Sequence, residues 1–170
     1  MRSLVVYESW FGNTKRIAEE VAEALEEEGE VELVSVDAPV PELGGFDLLV
    51  IGAPTHIHGV SSRRSRQGAL DQGGHGEVGI GVRGFIDRLA NGACGPRVAA
   101  FDTRADKPVW LVGSAARGIA RRLRERGYLL AAEPESFFVQ GTPGPLAAGE
   151  LDRAGEWGKA VASGVMSPAA

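Results

Sequence analysis

Apolar positions along this chain change period several times, and each change marks an element. Leu4, Val5 and Val6 form a short apolar run suited to a strand buried on both faces. From Thr14 the spacing becomes helical, with Ile17, Val21 and Leu25 four apart on one face. Gly29 stands where a left-handed cap would end that helix. Residues 30–36 alternate apolar and polar, as in a strand buried mainly on one side. Residues 46–52 are a nearly continuous apolar run suited to the centre of a sheet. Val82, Phe85, Ile86 and Leu89 restore helical spacing, and residues 97–103 read as a fourth strand. Ser114 is placed to cap a helix running to Arg126, with Ile119 and Leu123 on its inner face. Residues 128–132 and 136–139 make a fifth strand interrupted around Pro134. A last helix follows over 149–164, with Leu151, Ala154, Gly158 and Val161 on one stripe.

Strands alternating with helices predict an α/β protein with a doubly wound, five-stranded parallel sheet. Spacing alone leaves the strand order open. The expected organisation is one domain over residues 1–165, with a frayed tail at 166–170. Two segments lack a period. Residues 108–113 read as a loop, although Val109, Trp110, Leu111 and Val112 are apolar enough to be partly buried. Residues 61–79 combine Arg63, Arg64 and Arg66 with a glycine-rich second half. Few apolar side chains are available there to hold one conformation, so a mobile loop is expected.

A length of 170 residues is enough for one proper core, and no apolar run is long enough to span a bilayer. No secretory leader is visible, so the cytoplasm is the expected compartment. The net charge of -5 argues against nucleic acid as the main partner. Glu19, Glu20, Glu23, Glu26, Glu27 and Glu28 make the first helix acidic. Arg117, Arg121, Arg122, Arg124 and Arg126 make a later one basic, and both read as solvated faces. Cys94, the single cysteine, leaves no internal disulfide or thiol pair.

Candidate chemistry begins where the first strand meets the first helix. Ser9, Gly12, Asn13 and Thr14 bring hydroxyls and backbone N–H groups to a helix N-terminus, a setting that favours a phosphate. The plain alternative is a strand-to-helix turn with Asn13 as its cap. Neither the Gly-Lys-Ser/Thr ending of a nucleotide loop nor GxGxxG is present. No Gly-x-Ser-x-Gly elbow points to a hydrolase. His56, His58 and His75 invite a metal reading, but no fixed spacing supplies a third ligand, and none is expected.

Ser9-x-x-Gly12-Asn13-Thr14, directly after the first strand, resembles the FMN-phosphate loop of the flavodoxin family. That loop is usually written Ser/Thr-x-Thr-Gly-x-Thr, and Phe11 here replaces its middle hydroxyl. Gly52-Ala53-Pro54-Thr55 with Gly59 resembles the family's second loop, and Asp102-Thr103 the start of its third. Phe137-Phe138-Val139 and Gly144-Pro145-Leu146 resemble its usual ending, without the insertion that splits strand five in long-chain members. The resemblance is therefore to a short-chain member carrying an atypical Arg/Gly-rich insertion, and it covers nearly all the chain outside 61–79.

It implies a three-layer flavodoxin-like fold with strand order 2-1-3-4-5 and FMN as cofactor. Ser9, Trp10, Phe11, Gly12, Asn13 and Thr14 would hold the phosphate. Ala53, Pro54, Thr55, His56, Ile57, His58 and Gly59, with Asp102 and Thr103, would border the ring. The implied activity is electron transfer between partner proteins, a reductase and an acceptor. The His58-Gly59 peptide would turn on reduction, a change glycine tolerates. Members usually stack a Trp or Tyr on the ring. Residues 53–62 and 102–108 contain neither, leaving His56, His58, Trp10 and Trp110 as aromatic candidates.

Two other readings remain. An NAD(P)H-dependent quinone or nitro-compound reductase on the same fold would close the arginine segment over a cosubstrate; those arginines would otherwise attract an acidic partner or simply keep a loop soluble. A flavin-free, response-regulator-like signalling module would need acidic residues at the ends of strands one and three. Glu8 supplies one, but Pro54 and Thr55 occupy the other place.

Overall fold

The computed structural model describes residues 1–56, 59–76 and 78–166. Ile57 and His58, both expected beside the ring, lie outside the described residues, as do the last four residues of the expected tail. The His58-Gly59 peptide expected to turn on reduction falls there too.

Five strands form one parallel sheet: β1 (Arg2–Tyr7), β2 (Glu30–Ser35), β3 (Leu48–Pro54), β4 (Arg97–Ala105) and β5 (Glu135–Val139). Their order is β2-β1-β3-β4-β5, so the chain reverses its direction of winding between β1 and β3. Val5 faces Leu33 on one side and Val50 on the other. Successive side chains on a strand point to opposite faces, and the apolar run of β1 therefore serves two cores. Leu4 and Val6 pack with Leu49, Ile51 and Ala100 against α3 (Gly81–Arg88) and α5 (Ala115–Glu125). Val5, Val50 and Phe101 face the other way, toward α1 (Asn13–Glu26) and α6 (Glu150–Met166). The spacing of Ile17, Val21 and Leu25 puts all three in that second core, fully buried. Phe101, Phe137 and Trp157 meet edge to face, with centroids 5.9–6.1 Å apart.

The fifth strand is shorter than expected: residues 128–132 contribute a single isolated bridge, Leu130 to Val98, and β5 begins at Glu135. Ser114 caps α5 as expected, its hydroxyl accepting from the Arg117 N–H.

Three local expectations are corrected. Residues 61–79 are not all loop, because α2 (Arg63–Asp71) occupies their first half. Ser62 and Ser65 form a reciprocal capping box there, and Arg66 and Ala69 turn inward. The segment at 109–112 makes one helical turn, α4 (Val109–Val112), and is not loop. Its Trp110 is 82% exposed where partial burial was expected. Finally, Gly12, not Asn13, is the N-cap of α1.

Candidate functional site

In a doubly wound sheet, ligands sit beyond the carboxyl ends of the strands, where the winding reverses. The loops after β1, β3 and β4 meet there around a cleft of about 1000 Å³. A neighbouring recess of about 720 Å³ shares Phe11, Asn13 and Pro143 with it.

The first loop leaves β1 at Tyr7. Gly12, at φ 84, takes the left-handed conformation that swings the chain into α1. The N–H groups of a helix's first turn have no partner within the helix. Here that of Lys15 reaches the Ser9 hydroxyl at 3.2 Å. Asn13 donates through Nδ2 to the Pro143 carbonyl, 2.6 Å away, tying the loop to the segment after β5. Thr14 is buried, and its hydroxyl lies 2.7 Å from that of Thr103. Trp10 is buried too, with its indole N–H donated to Glu8 Oε1 at 2.9 Å.

The second loop is held from both sides. The Thr55 N–H bonds the Thr103 carbonyl, and the Thr55 hydroxyl donates to Asp102 Oδ2 at 3.0 Å. His56 and Gly59 exchange two backbone hydrogen bonds, 2.9 and 2.7 Å. Burial holds the His56 imidazole below its ordinary pKa, with Glu8 pulling it up and Arg66 pushing it down. Its Nε2 is buried without a partner among the described residues, although His56 lines the cleft.

Asp102 and Thr103, expected to start the third loop, lie within β4, which runs on to Ala105; the Asp102 carboxylate is buried and does not line the cleft. Its Oδ2 accepts from the Ser114 hydroxyl at 2.6 Å and the Ala116 N–H at 2.9 Å as well as from Thr55. Asp102 therefore couples the second loop to the start of α5. Thr103, one residue on, does line the cleft.

Of the residues singled out from the sequence, Trp10, Phe11, Asn13, Pro54, Thr55, His56 and Thr103 line the cleft. Gly12 lines the adjoining recess. Ser9, Thr14, Ala53, Gly59 and Asp102 line neither one.

Sequence reasoning missed the wall built by α2. Ser65, Gly68 and Ala69 of that helix line the cleft with Arg64, and Arg83 joins them from α3. The helix is anchored by Arg66, which was expected on an exposed basic loop and is instead 5% exposed. Its guanidinium donates to the Ser61 hydroxyl at 3.2 Å and the Gly79 carbonyl at 2.8 Å. Ser61 in turn donates to Glu8 Oε2 at 2.9 Å, and that oxygen also accepts the Val82 N–H. The Ser62–Ser65 spacing was the one local signal for this helix, and the glycine-rich stretch after it obscured that signal. This second half is itself tied down, the His75 N–H bonding the Trp10 carbonyl at 2.7 Å.

Among the described residues, no three His, Cys, Asp or Glu side chains gather as a metal site, and no helix is long and apolar enough to cross a membrane.

Known proteins match this arrangement at two levels. A sequence model of the Flavodoxin domain matches residues 4–65, which span the first loop, the second loop and the start of α2. Among solved structures, a flavodoxin from the domain Archaea is 20% identical, with a TM-score of 0.66 over 98% of this chain and 100% of that one. Flavodoxin 2 from Bacillus cereus is 21% identical, with a TM-score of 0.66 over 96% and 99%. A short-chain flavodoxin associated with a non-canonical PDU bacterial microcompartment is 15% identical, at 0.65 over 96% and 97%. No curated protein sequence matches. The chain has the flavodoxin-like fold throughout, and its residues 4–65 match the sequence model of the Flavodoxin domain.

Proposed function

We propose that the protein binds FMN in the cleft beyond β1, β3 and β4 and passes electrons between redox partner proteins. The observation that carries this reading is the left-handed Gly12 at the start of α1, opening beside a cleft of about 1000 Å³. A phosphate at the first loop would take the unpaired N–H groups of the first helical turn and the positive end of its dipole. A side chain added at Gly12 would meet no atom within 4 Å, so the backbone there is open to a ligand. Ser9 through its hydroxyl and Asn13 and Thr14 through their N–H groups would complete the phosphate site.

The ring would lie against Pro54, Thr55, His56 and Thr103, which adjoin one another on the cleft wall. Apolar lining from Trp10, Phe11, Val60 and Leu111 suits a flat aromatic group. The orphaned His56 Nε2 suits a ligand with a polar edge, since a buried polar atom costs free energy until it is paired. Bound FMN would supply the redox chemistry, and the protein would hold it, shield it from water and set the charge around it. Asp102 acts one step back, by fixing Thr55 and the start of α5.

Titration of cofactor-free protein with FMN tests the reading. The expected outcome is saturable binding, seen as a shift in flavin absorbance and a change in its fluorescence, with riboflavin binding far more weakly because it lacks the phosphate. Equal affinity for the two would remove the first loop from the site, and no binding of either would overturn the proposal.

A further inference from the structure

The proposed electron transfer needs a surface on which a partner can approach the cleft, and the exposed side chains at its mouth are unlike the rest of the molecule. Trp110 is 82% exposed and Leu111 49%, both on the single turn α4. Leu111 and Val112 line the cleft, so this turn stands at its rim. The other large exposed apolar residues, Leu33, Leu129 and Met166, are not among the residues lining it. An indole left in water is a large area of apolar surface that a partner can bury, and aromatic anchors of this kind dominate interface cores.

The charge at the mouth runs against that of the whole chain. Net charge is -5, yet the residues lining the cleft include Arg64, Arg83 and Arg104 and no carboxylate. Arg83 donates to the Val60 carbonyl, and Arg104 to the carbonyls of Ala105 and Lys107. Among the described residues none of the three is paired with an acidic side chain, so their charge is not cancelled. Arg63 on α2 and Lys107 before α4 add exposed positive charge; Asp106 is the one exposed carboxylate in the turn before α4. The acidic residues gather along α1, where Glu19 lines the adjoining recess beside Lys15 and Arg16.

We propose that this rim is the docking face for a redox protein whose own contact surface is acidic and offers an apolar recess to Trp110. The proposal rests on the flavin reading above. A cationic rim steers an acidic partner to the cleft and fixes its orientation, while one aromatic anchor gives a contact that still releases quickly. Electron-transfer complexes are usually small, below about 1,200 Å² of buried surface, which suits such a face.

The test uses FMN-loaded protein and a purified acidic ferredoxin as probe. Stopped-flow absorbance follows one electron passing from the probe's reduced iron–sulfur cluster to the bound flavin. The rate is expected to fall about tenfold from low to high ionic strength. Arg63→Glu with Lys107→Glu should flatten or reverse that dependence. Trp110→Ala should slow transfer at every salt concentration and leave the slope unchanged. A rate that rises with salt in the unaltered protein, or one indifferent to all three substitutions, overturns the proposal. Rapid NADPH oxidation by the protein alone also overturns it, because the arginines would then serve a phosphorylated cosubstrate.

A second arm needs no flavin. In cofactor-free protein, the fluorescence lost in Trp110→Phe should be quenched more by iodide than by caesium; the opposite order overturns the cationic rim. Failure of the flavin reading itself appears separately, as absence of FMN binding.

Discussion

The hydroxyls of Thr14 and Thr103 lie 2.7 Å apart in the interior, joining the start of α1 to the end of β4 across 89 positions of sequence. The first loop of the candidate site is thus held in place by β4. Thr14→Val leaves the Thr103 hydroxyl buried without its partner, which costs about 1–3 kcal/mol. Thr14→Val with Thr103→Val removes both polar groups and should recover most of that loss. Urea denaturation of the cofactor-free variants measures both effects. A double-variant loss equal to the sum of the two single losses would show that this pair does not act as a unit.

Glu8 accepts from the Trp10 indole, the Ser61 hydroxyl and the Val82 N–H, so one buried carboxylate holds β1, α2 and α3 together. Glu8→Gln turns one accepting oxygen into a donor facing other donors. The expected result is a loss of about 1–3 kcal/mol and faster amide hydrogen exchange in α2. In the unaltered protein, α2 amides should exchange more slowly than those of residues 72–76. Equally fast exchange in both would mean that the Arg66 and Glu8 contacts do not hold the helix in solution.

Burial lowers the His56 pKa from 6.5, with the attraction of Glu8 opposing this and Arg66 adding to it. The unfolded chain therefore takes up a proton at a pH where the folded protein does not. Stability from His56 is fully present above pH 6.5, falls as pH drops through that value, and levels off once the folded imidazole is also protonated. His56→Gln should remove this part of the slope of stability against pH. Thermal or urea unfolding of the two proteins between pH 7.5 and 5, on a scale of about one pH unit per step, is the measurement. A slope identical in both would mean His56 titrates normally.

Gly12 has φ 84 and open space around it, so Gly12→Ala strains the backbone without a clash. The cost should be about 1–2 kcal/mol in stability. FMN affinity should fall as well, because relief of the strain moves the N–H groups proposed to face the phosphate. Wild-type affinity in a folded Gly12→Ala protein would argue that phosphate binds elsewhere.

Gly52 shows how a glycine in the best-patterned strand was legible yet unexplained. A methyl group there would run into the Phe101 ring from the adjacent β4, a contact that no local pattern announces. The elements themselves were local matters. Apolar runs in β1 and β3, the four-residue spacing of Ile17, Val21 and Leu25, and the Ser114 cap all depend on neighbours a few positions away, and each appears in the structure. Strand order came from family resemblance and was met by the sheet, since hydrophobic period says which segments are strands and not which pair.

What the tertiary structure alone decided concerns polar groups whose partners are distant in sequence. Glu8 finds donors 53 and 74 positions away, and Asp102 binds Thr55 47 positions before it. The burial of Arg66, which makes α2 a wall of the cleft where loop was expected, follows from those same contacts. A buried charge is tolerated only where the fold delivers its hydrogen bonds, and composition cannot report that delivery. Hydrophobic pattern thus determined the layers, and long-range polar pairing determined the shape of the site between them.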